Sequence, residues 1–190
     1  MKKQDRRADK ESEDSPVVEP PLHPLEVMRQ AYVDMEIEFQ EDDNAIFTRL
    51  NLENLEVHVI SWGQPDDLST IVVRLPVRAA AEFRSAAGEF INRLNYNSRR
   101  KYWEIDCDDG EIRLAAYTDT MVGPMTDKIF RSLLHCLLMT ADTVFPYLTS
   151  VLSGRMTAEF ADDQAEAAIA AMWGKDNNTD GEPPDDVSAE

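Results

Sequence analysis

Three histidines, two cysteines and one acidic loop are the parts of this 190-residue chain whose side chains could do chemistry. The loop, Asp106-Cys-Asp-Asp-Gly-Glu111, has the composition of a calcium-binding turn. An EF-hand, however, needs acidic ligands at positions 1, 3 and 5, glycine at 6 and a bidentate glutamate at 12. With Asp106 first, Gly110 falls at 5 and Tyr117 at 12, so the loop reads as a hairpin turn with solvated carboxylates. His23, His58 and His135 are dispersed over an expected loop, strand and helix, too scattered for a catalytic set. His135 lies beside an apolar helical stripe near Arg131 and Asp142 and reads as a packed histidine; His58 shares a strand face with Ile60 and Trp62. Cys107 and Cys136 lack metal-ligand spacing and read as reduced thiols of a cytoplasmic protein. There is no G-x-S-x-G, no H-E-x-x-H and no phosphate-cradling loop, and only seven glycines to build one. We expect no catalytic residue, no metal, no cofactor and no enzyme.

Residues suited to contact are better represented. Trp62, Tyr102, Tyr117 and Trp173 could give large, rigid contact area to a protein partner, as aromatic anchors do at interfaces. Trp103 is assigned to the core instead. The charge narrows the partner class: 37 acidic against 19 basic residues leave −18, with ten acids and one base in residues 156–190. Such a surface repels phosphate backbones and anionic lipid, so nucleic acid and membrane are not expected partners. The basic N-terminus precedes no apolar run, and the stretch Leu133 to Met139 is too short to span a bilayer.

The elements that must position these residues follow from periodicity. Residues 1–23 mix charge with Pro16, Pro20 and Pro21 and are expected to be a disordered arm; residues 174–190 are expected to be a disordered acidic tail. Between them one domain, 24–173, is expected. Pro24 opens a helix to about Asp34 with Leu25, Met28, Tyr32 and Met35 on one face. Ala45 to Leu52, Leu55 to Trp62 and Leu68 to Leu75 are Val/Ile-rich runs with short links, hence an antiparallel meander, with Glu36 to Gln40 as an edge strand. From Ala79 the period changes, and Ala80, Phe83, Ala87, Phe90, Ile91 and Leu94 line a helix ending before Asn95. Asp109-Gly110 suits a two-residue type I′ turn. That turn would pair Cys107 with Ile112, Ile105 with Leu114 and Trp103 with Ala116 on the buried face, and Asp106 with Arg113 and Tyr102 with Tyr117 on the other. Thr126 caps a long helix carrying Ile129 to Leu148, Pro146 should kink or break it, and Gly154 ends it. A last amphipathic helix, Thr157 to Trp173, places Phe160, Ala165, Ile169, Met172 and Trp173 on its apolar side.

This order of elements, with the strings Phe90-Ile-Asn-Arg-Leu-Asn-Tyr96, Trp103-Glu-Ile-Asp106, Asp109-Gly-Glu-Ile-Arg113 and Ala141-Asp-Thr-Val-Phe-Pro146, resembles the YbjN domain family over residues 25–173. That family carries the label of bacterial sensory transduction regulators and is similar in fold to type III secretion chaperones, which are small, acidic and dimeric and bind extended client segments. The resemblance implies a homodimer and an interaction module. The fold class expected is α+β, and the function is a non-enzymatic, cytoplasmic, regulatory or chaperone-like module holding a protein segment at a sheet edge or apolar groove. A sensor of a small ligand or metal is the alternative, and a hydrolase is less favoured.

Overall fold

The computed structural model describes residues 22–65, 67–96, 98 and 100–176. Residues 1–21 and 177–190, which hold nearly all of the expected arm and tail, lie outside them. The mixed helix and antiparallel sheet architecture is α+β, as expected. In chain order the elements are α1 (Pro24–Asp34), β1 (Gln40–Glu41), β2 (Ala45–Asn51), β3 (Glu56–Trp62), β4 (Leu68–Arg78), a 3-10 turn (Ala81–Phe83), α2 (Arg84–Tyr96), β5 (Tyr102–Ile105), β6 (Glu111–Asp119), α3 (Asp127–Leu152) and α4 (Ala158–Asp176). The six strands form one antiparallel sheet ordered β1-β2-β3-β4-β6-β5.

Alternation along each strand decides what faces the helices. Ile46, Val57, Val59, Ile71, Val73, Ile112, Leu114 and Ala116 point to one side and share a core with Met28 and Tyr32 of α1, Phe90 and Ile91 of α2, and Phe130, Leu137 and Val144 of α3. Burying each large apolar side chain in this core contributes roughly 1.5–3 kcal/mol. Tyr32 is fully buried, and its hydroxyl and that of Ser61 share a hydrogen bond of 2.9 Å. Without that partner the phenol would carry an unmet polar group into the core.

Several local expectations change. The edge strand is Gln40–Glu41 and not Glu36 to Gln40, because Glu36 takes φ 56° in the turn that leaves α1. The second helix starts later: Ala80 is extended and exposed, Phe83 sits in the 3-10 turn, and Asn95 and Tyr96 still belong to the helix. The hairpin register moves by two residues, pairing Ile105 with Ile112, Trp103 with Leu114, Glu104 with Arg113 and Tyr102 with Ala115. A type I′ turn needs two residues at positive φ. Only Gly110, at 76°, takes it here. The Asp106 carboxylate instead accepts from the N–H groups of Asp108 (2.7 Å) and Asp109 (3.3 Å), while Gly110 N–H donates to the Asp106 carbonyl (2.8 Å), closing a longer loop. An even shift preserves the face of every side chain, so Trp103 stays in the core. Cys107, expected on the buried face, is exposed in the loop, and Arg113 pairs with Glu104 rather than Asp106.

Helix α3 runs through Pro146 without a break. Proline at this position lacks the N–H that would bond the Asp142 carbonyl. Asn54, in the β2–β3 turn, supplies the replacement: its Nδ2 donates to that carbonyl (3.3 Å) and to the Asp142 carboxylate (3.2 Å), and its backbone N–H donates to the same carboxylate (2.7 Å). The helix ends as expected at Gly154, φ 69°, where the Arg155 N–H bonds back to the Ser150 carbonyl and Gly154 N–H to Val151, a Schellman arrangement. Helix α4 then packs on α3 and α2 through Ala158, Ala161 and Ala165. Phe160, expected on its apolar side, is exposed, since Ala158, Ala161 and Ala165 define the packed face and Phe160 falls on the opposite side of the helix.

Candidate interaction face on the open side of the sheet

Because the helices share a core with only one side of the sheet, the opposite side chains form a second face, exposed toward its ends and buried at Thr70, Val72 and Ala115, and the strand registers stack them into three rows. The first row is Ala45, Trp62, Thr70 and Tyr117; the second is Phe47, Ile60, Val72, Ala115 and Tyr102; the third is Arg49, His58, Arg74, Arg113 and Glu104. The middle row is apolar from end to end. Its centre, Val72 and Ala115, is shielded by its sheet neighbours, while Phe47 and Tyr102 at its ends are 39% and 45% exposed. An apolar band rimmed by charge on an otherwise acidic molecule has the make-up of a contact surface. Beside it, Glu38, Gln40, Phe47, Arg49, His58, Ile60 and Arg74 enclose a concavity of about 700 Å3 at the β1–β3 end.

The third row puts arginines on β2, β4 and β6, with His58 between them on β3, an arrangement that costs free energy unless each guanidinium is neutralised. Glu56 faces Arg49 at 3.6 Å, Glu111 pairs with Arg74 and Glu104 with Arg113. Glu104 also accepts from the Tyr117 hydroxyl at 2.6 Å. Desolvation first, then that hydrogen bond and the Glu104 charge, push the Tyr117 phenol up to about 12, so it stays a neutral donor at any physiological pH. The Tyr102 and Tyr117 rings lie 6.1 Å apart as a diagonal cross-strand pair, not the directly opposed one expected.

Of the four aromatic residues singled out in the sequence, the fold thus brings Trp62, Tyr102 and Tyr117 onto one face. It does not bring Trp173 there. That ring packs edge-on against His135, centroids 6.4 Å apart, and with Lys101, Leu133 and Cys136 it lines a cavity of about 160 Å3 in the helix layer, smaller than the roughly 300–1,000 Å3 of small-molecule sites. Arg131 and Asp142, expected near His135, engage Asp127 and Asp34, and Asn54, respectively. Phe47, Ile60 and the arginine row share that face but were not singled out in the sequence. The alternation of Phe47 with Arg49 and of His58 with Ile60 and Trp62 was the available signal. Among the described residues, no group of three His, Cys, Asp or Glu side chains could hold a metal ion, and no helix is long and apolar enough to cross a membrane.

The sheet's edges are less open than its face. On β5, the outward backbone groups of Trp103 are taken by Asn95, whose Oδ1 accepts from the Trp103 N–H (2.7 Å) and whose Nδ2 donates to its carbonyl (2.8 Å). The Ser98 hydroxyl donates to the Lys101 carbonyl. At the other edge β1 is two residues long. Both devices discourage strand addition.

No protein-family model and no curated protein sequence matches the chain. Among solved structures, it is similar to the crystal structure of YbjN from E. coli, described there as a candidate transcription regulator. That match has 15% sequence identity and a TM-score of 0.42, and covers 80% of this chain and 93% of the other.

Proposed function

We propose that this chain is a non-enzymatic, regulatory or chaperone-like module that holds a protein segment across the open face of its sheet. The observation that carries the reading is the apolar middle row, Phe47 to Tyr102, flanked by Trp62 and Tyr117. Five strands about 4.8 Å apart and three rows about 6.7 Å apart give a face of roughly 19 by 13 Å between outermost positions. That suits an extended segment better than a whole globular partner, whose stable interfaces bury about 800 Å2 per side. The self-plugged edges favour docking by side chains on the face over strand addition. A reducing, cytoplasmic setting suits two unpaired cysteines, one of them exposed. The homodimer that the resemblance implies would use another surface than this small face. Trp173 would serve only a partner reaching the helix layer.

The test is capture from the source cell's lysate by four purified forms: unchanged chain, Phe47→Asp, Tyr102→Ala/Tyr117→Ala, and Phe160→Ala on the helix side. A protein captured by the unchanged chain and by Phe160→Ala, and reduced about tenfold or more by both face variants, a loss of about 1.4 kcal/mol in binding, supports the reading. Equal capture by all four removes the face from the interaction.

A further inference from the structure

Lys101 and Cys136 meet across the boundary between the sheet and the helix layer. The Lys101 Nζ lies 3.8 Å from the Cys136 Sγ, and both side chains are partly buried. The coil that enters β5 supplies the amine, and the middle of α3 supplies the thiol. Both line the cavity of about 160 Å3 that Trp173 also walls, together with Arg100, Ser132 and His135. That is about ten times the space one water needs, so a molecule the size of hydrogen peroxide fits beside the pair. Among the described residues that line the cavity none is acidic, although the chain carries a net charge of −18. Partly exposed, electropositive corners of this kind are where thiols are oxidised selectively.

Cys107 has the opposite surroundings. It is exposed in the hairpin loop among Asp106, Asp108 and Asp109, past the far end of β5 from Lys101. Its carbonyl accepts from Arg84 at the start of α2 (3.0 Å), whereas Asn95 near the end of α2 holds Trp103, two residues after Lys101. The two sulfurs therefore stand near opposite ends of a helix of 13 residues. At about 1.5 Å per residue that helix is about 20 Å long, far more than the roughly 4.4–6.8 Å between the Cα atoms of a disulfide. An oxidised Cys136 finds an amine within reach in its own chain, and the only other thiol of the sequence is out of reach.

We propose that Cys136 is a peroxide-sensitive site whose oxidised sulfur is captured by Lys101 as a sulfenamide, a reversible cross-link between the start of β5 and α3. Hydrogen peroxide oxidises the thiol by two electrons to a sulfenic acid and is itself reduced, one oxygen staying on sulfur and the other leaving as water. The Lys101 ammonium gives a proton to solvent, its amine attacks the sulfur, and an S–N bond replaces the S–O bond as a second water departs. One thiol, one ammonium and one peroxide thus yield one sulfenamide, two waters and one proton. The flexible four-carbon lysine stem supplies the approach that closes the gap. The link closes a loop between positions 35 apart, a constraint that acts mainly on the unfolded chain. It also pins the start of the strand that carries Tyr102 to the helix layer. None of these steps needs a partner on the open face.

The test exposes the full chain carrying Cys107→Ser to hydrogen peroxide near neutral pH and reads tryptic peptides by mass spectrometry and unfolding by urea. The peptides holding Lys101 and Cys136 should appear joined, about 2 Da lighter than their sum, with cleavage after Lys101 lost. The urea midpoint should rise, and dithiothreitol, which leaves methionine sulfoxide untouched, should undo both changes. Lys101→Arg keeps the charge without a nucleophilic amine, and Lys101→Met keeps neither. In both the link should vanish, and trapping of the sulfenic acid by dimedone should rise about fivefold or more. Recovery of Cys136 only as thiol, sulfinic or sulfonic acid overturns the proposal. So does dimedone labelling equal in the parent and the Lys101 variants, or a link formed as readily by the urea-unfolded chain.

Discussion

At the residue scale, the carboxyl of Asp162 on α4 is the clearest sign of a local conflict. One of its oxygens is buried without a hydrogen-bond partner, and desolvation, followed by the nearby Glu166 charge, holds its pKa above the usual carboxylate value against the opposing pull of Arg93. A carboxyl whose folded pKa is raised favours the folded state most when protonated, and that contribution is lost as pH climbs from its unfolded value through its folded one. Asp162→Asn should therefore raise the unfolding midpoint at pH 7, with the gain shrinking toward pH 4. Urea titrations of both forms across that range check it, and a pH-independent gain would mean that packing and not charge is responsible. Tyr32 gives the opposite end of the scale. Burial drives its phenol up to about 12, with the Ser61 bond pulling the other way, so its share of stability is intact below pH 10 and drains as pH rises from 10 toward 12. Tyr32→Phe should cost about 1–2 kcal/mol at pH 8 by stranding the Ser61 hydroxyl, and should lose less of its remaining stability than the parent between pH 10 and 11.5.

At the scale of elements, what could be read from the sequence was whatever depends on near neighbours. The helical stripes of α1 and α3, the Thr126 cap, the Gly154 stop and the meander all follow from spacing within a dozen residues, and all recur in the fold. The expected break at Pro146 failed because its remedy, Asn54, sits 88 positions from Asp142. The hairpin register failed for a nearer reason: Asp106 offered the turn a side-chain acceptor that outweighed the Asp-Gly dipeptide. Asn54 and Pro146 should accordingly be coupled. Asn54→Ala alone should cost about 1 kcal/mol, and Pro146→Ala should stabilise by restoring an i,i−4 bond to the Asp142 carbonyl. In the double variant the Asn54 loss should shrink by about 0.5 kcal/mol or more, a coupling that a double-mutant cycle reads directly. Strict additivity would show that Asn54 acts only through the Asp142 carboxylate. The β5 plug invites a parallel test: Asn95→Ala should speed amide exchange at Trp103 and cost about 1–3 kcal/mol, because two backbone groups lose their partners at once.

The whole molecule is a two-layer sandwich of helices on one sheet face, and its open face could not be read from the sequence because it depends on which strands lie side by side. Trp62 and Tyr117 fall in one row only because β4 pairs with both β3 and β6, a pairing that spans the intervening helix and hairpin. Charge, in contrast, is legible at this scale and carries its own consequence. The ion pairs here are surface pairs of Arg with Asp or Glu, each worth about 0–1 kcal/mol. Against them stands the mutual repulsion of a chain with a net charge of −18. Salt screens both, but repulsion acts over many separated charges while each pair is short-ranged, so the long-range part is screened first. Raising NaCl from 20 to 300 mM at pH 7.5 should therefore increase stability, by a few tenths to about 1 kcal/mol. The same titration by urea unfolding in sodium sulfate at matched ionic strength separates screening from general surface exclusion, which would make sulfate the stronger of the two salts. A fall in stability with NaCl would mean that the arginine pairs, above all Arg74 and Arg113 on the open face, outweigh the net charge. The face would then be held in shape by its own ion pairs, and any segment docking there would have to displace them.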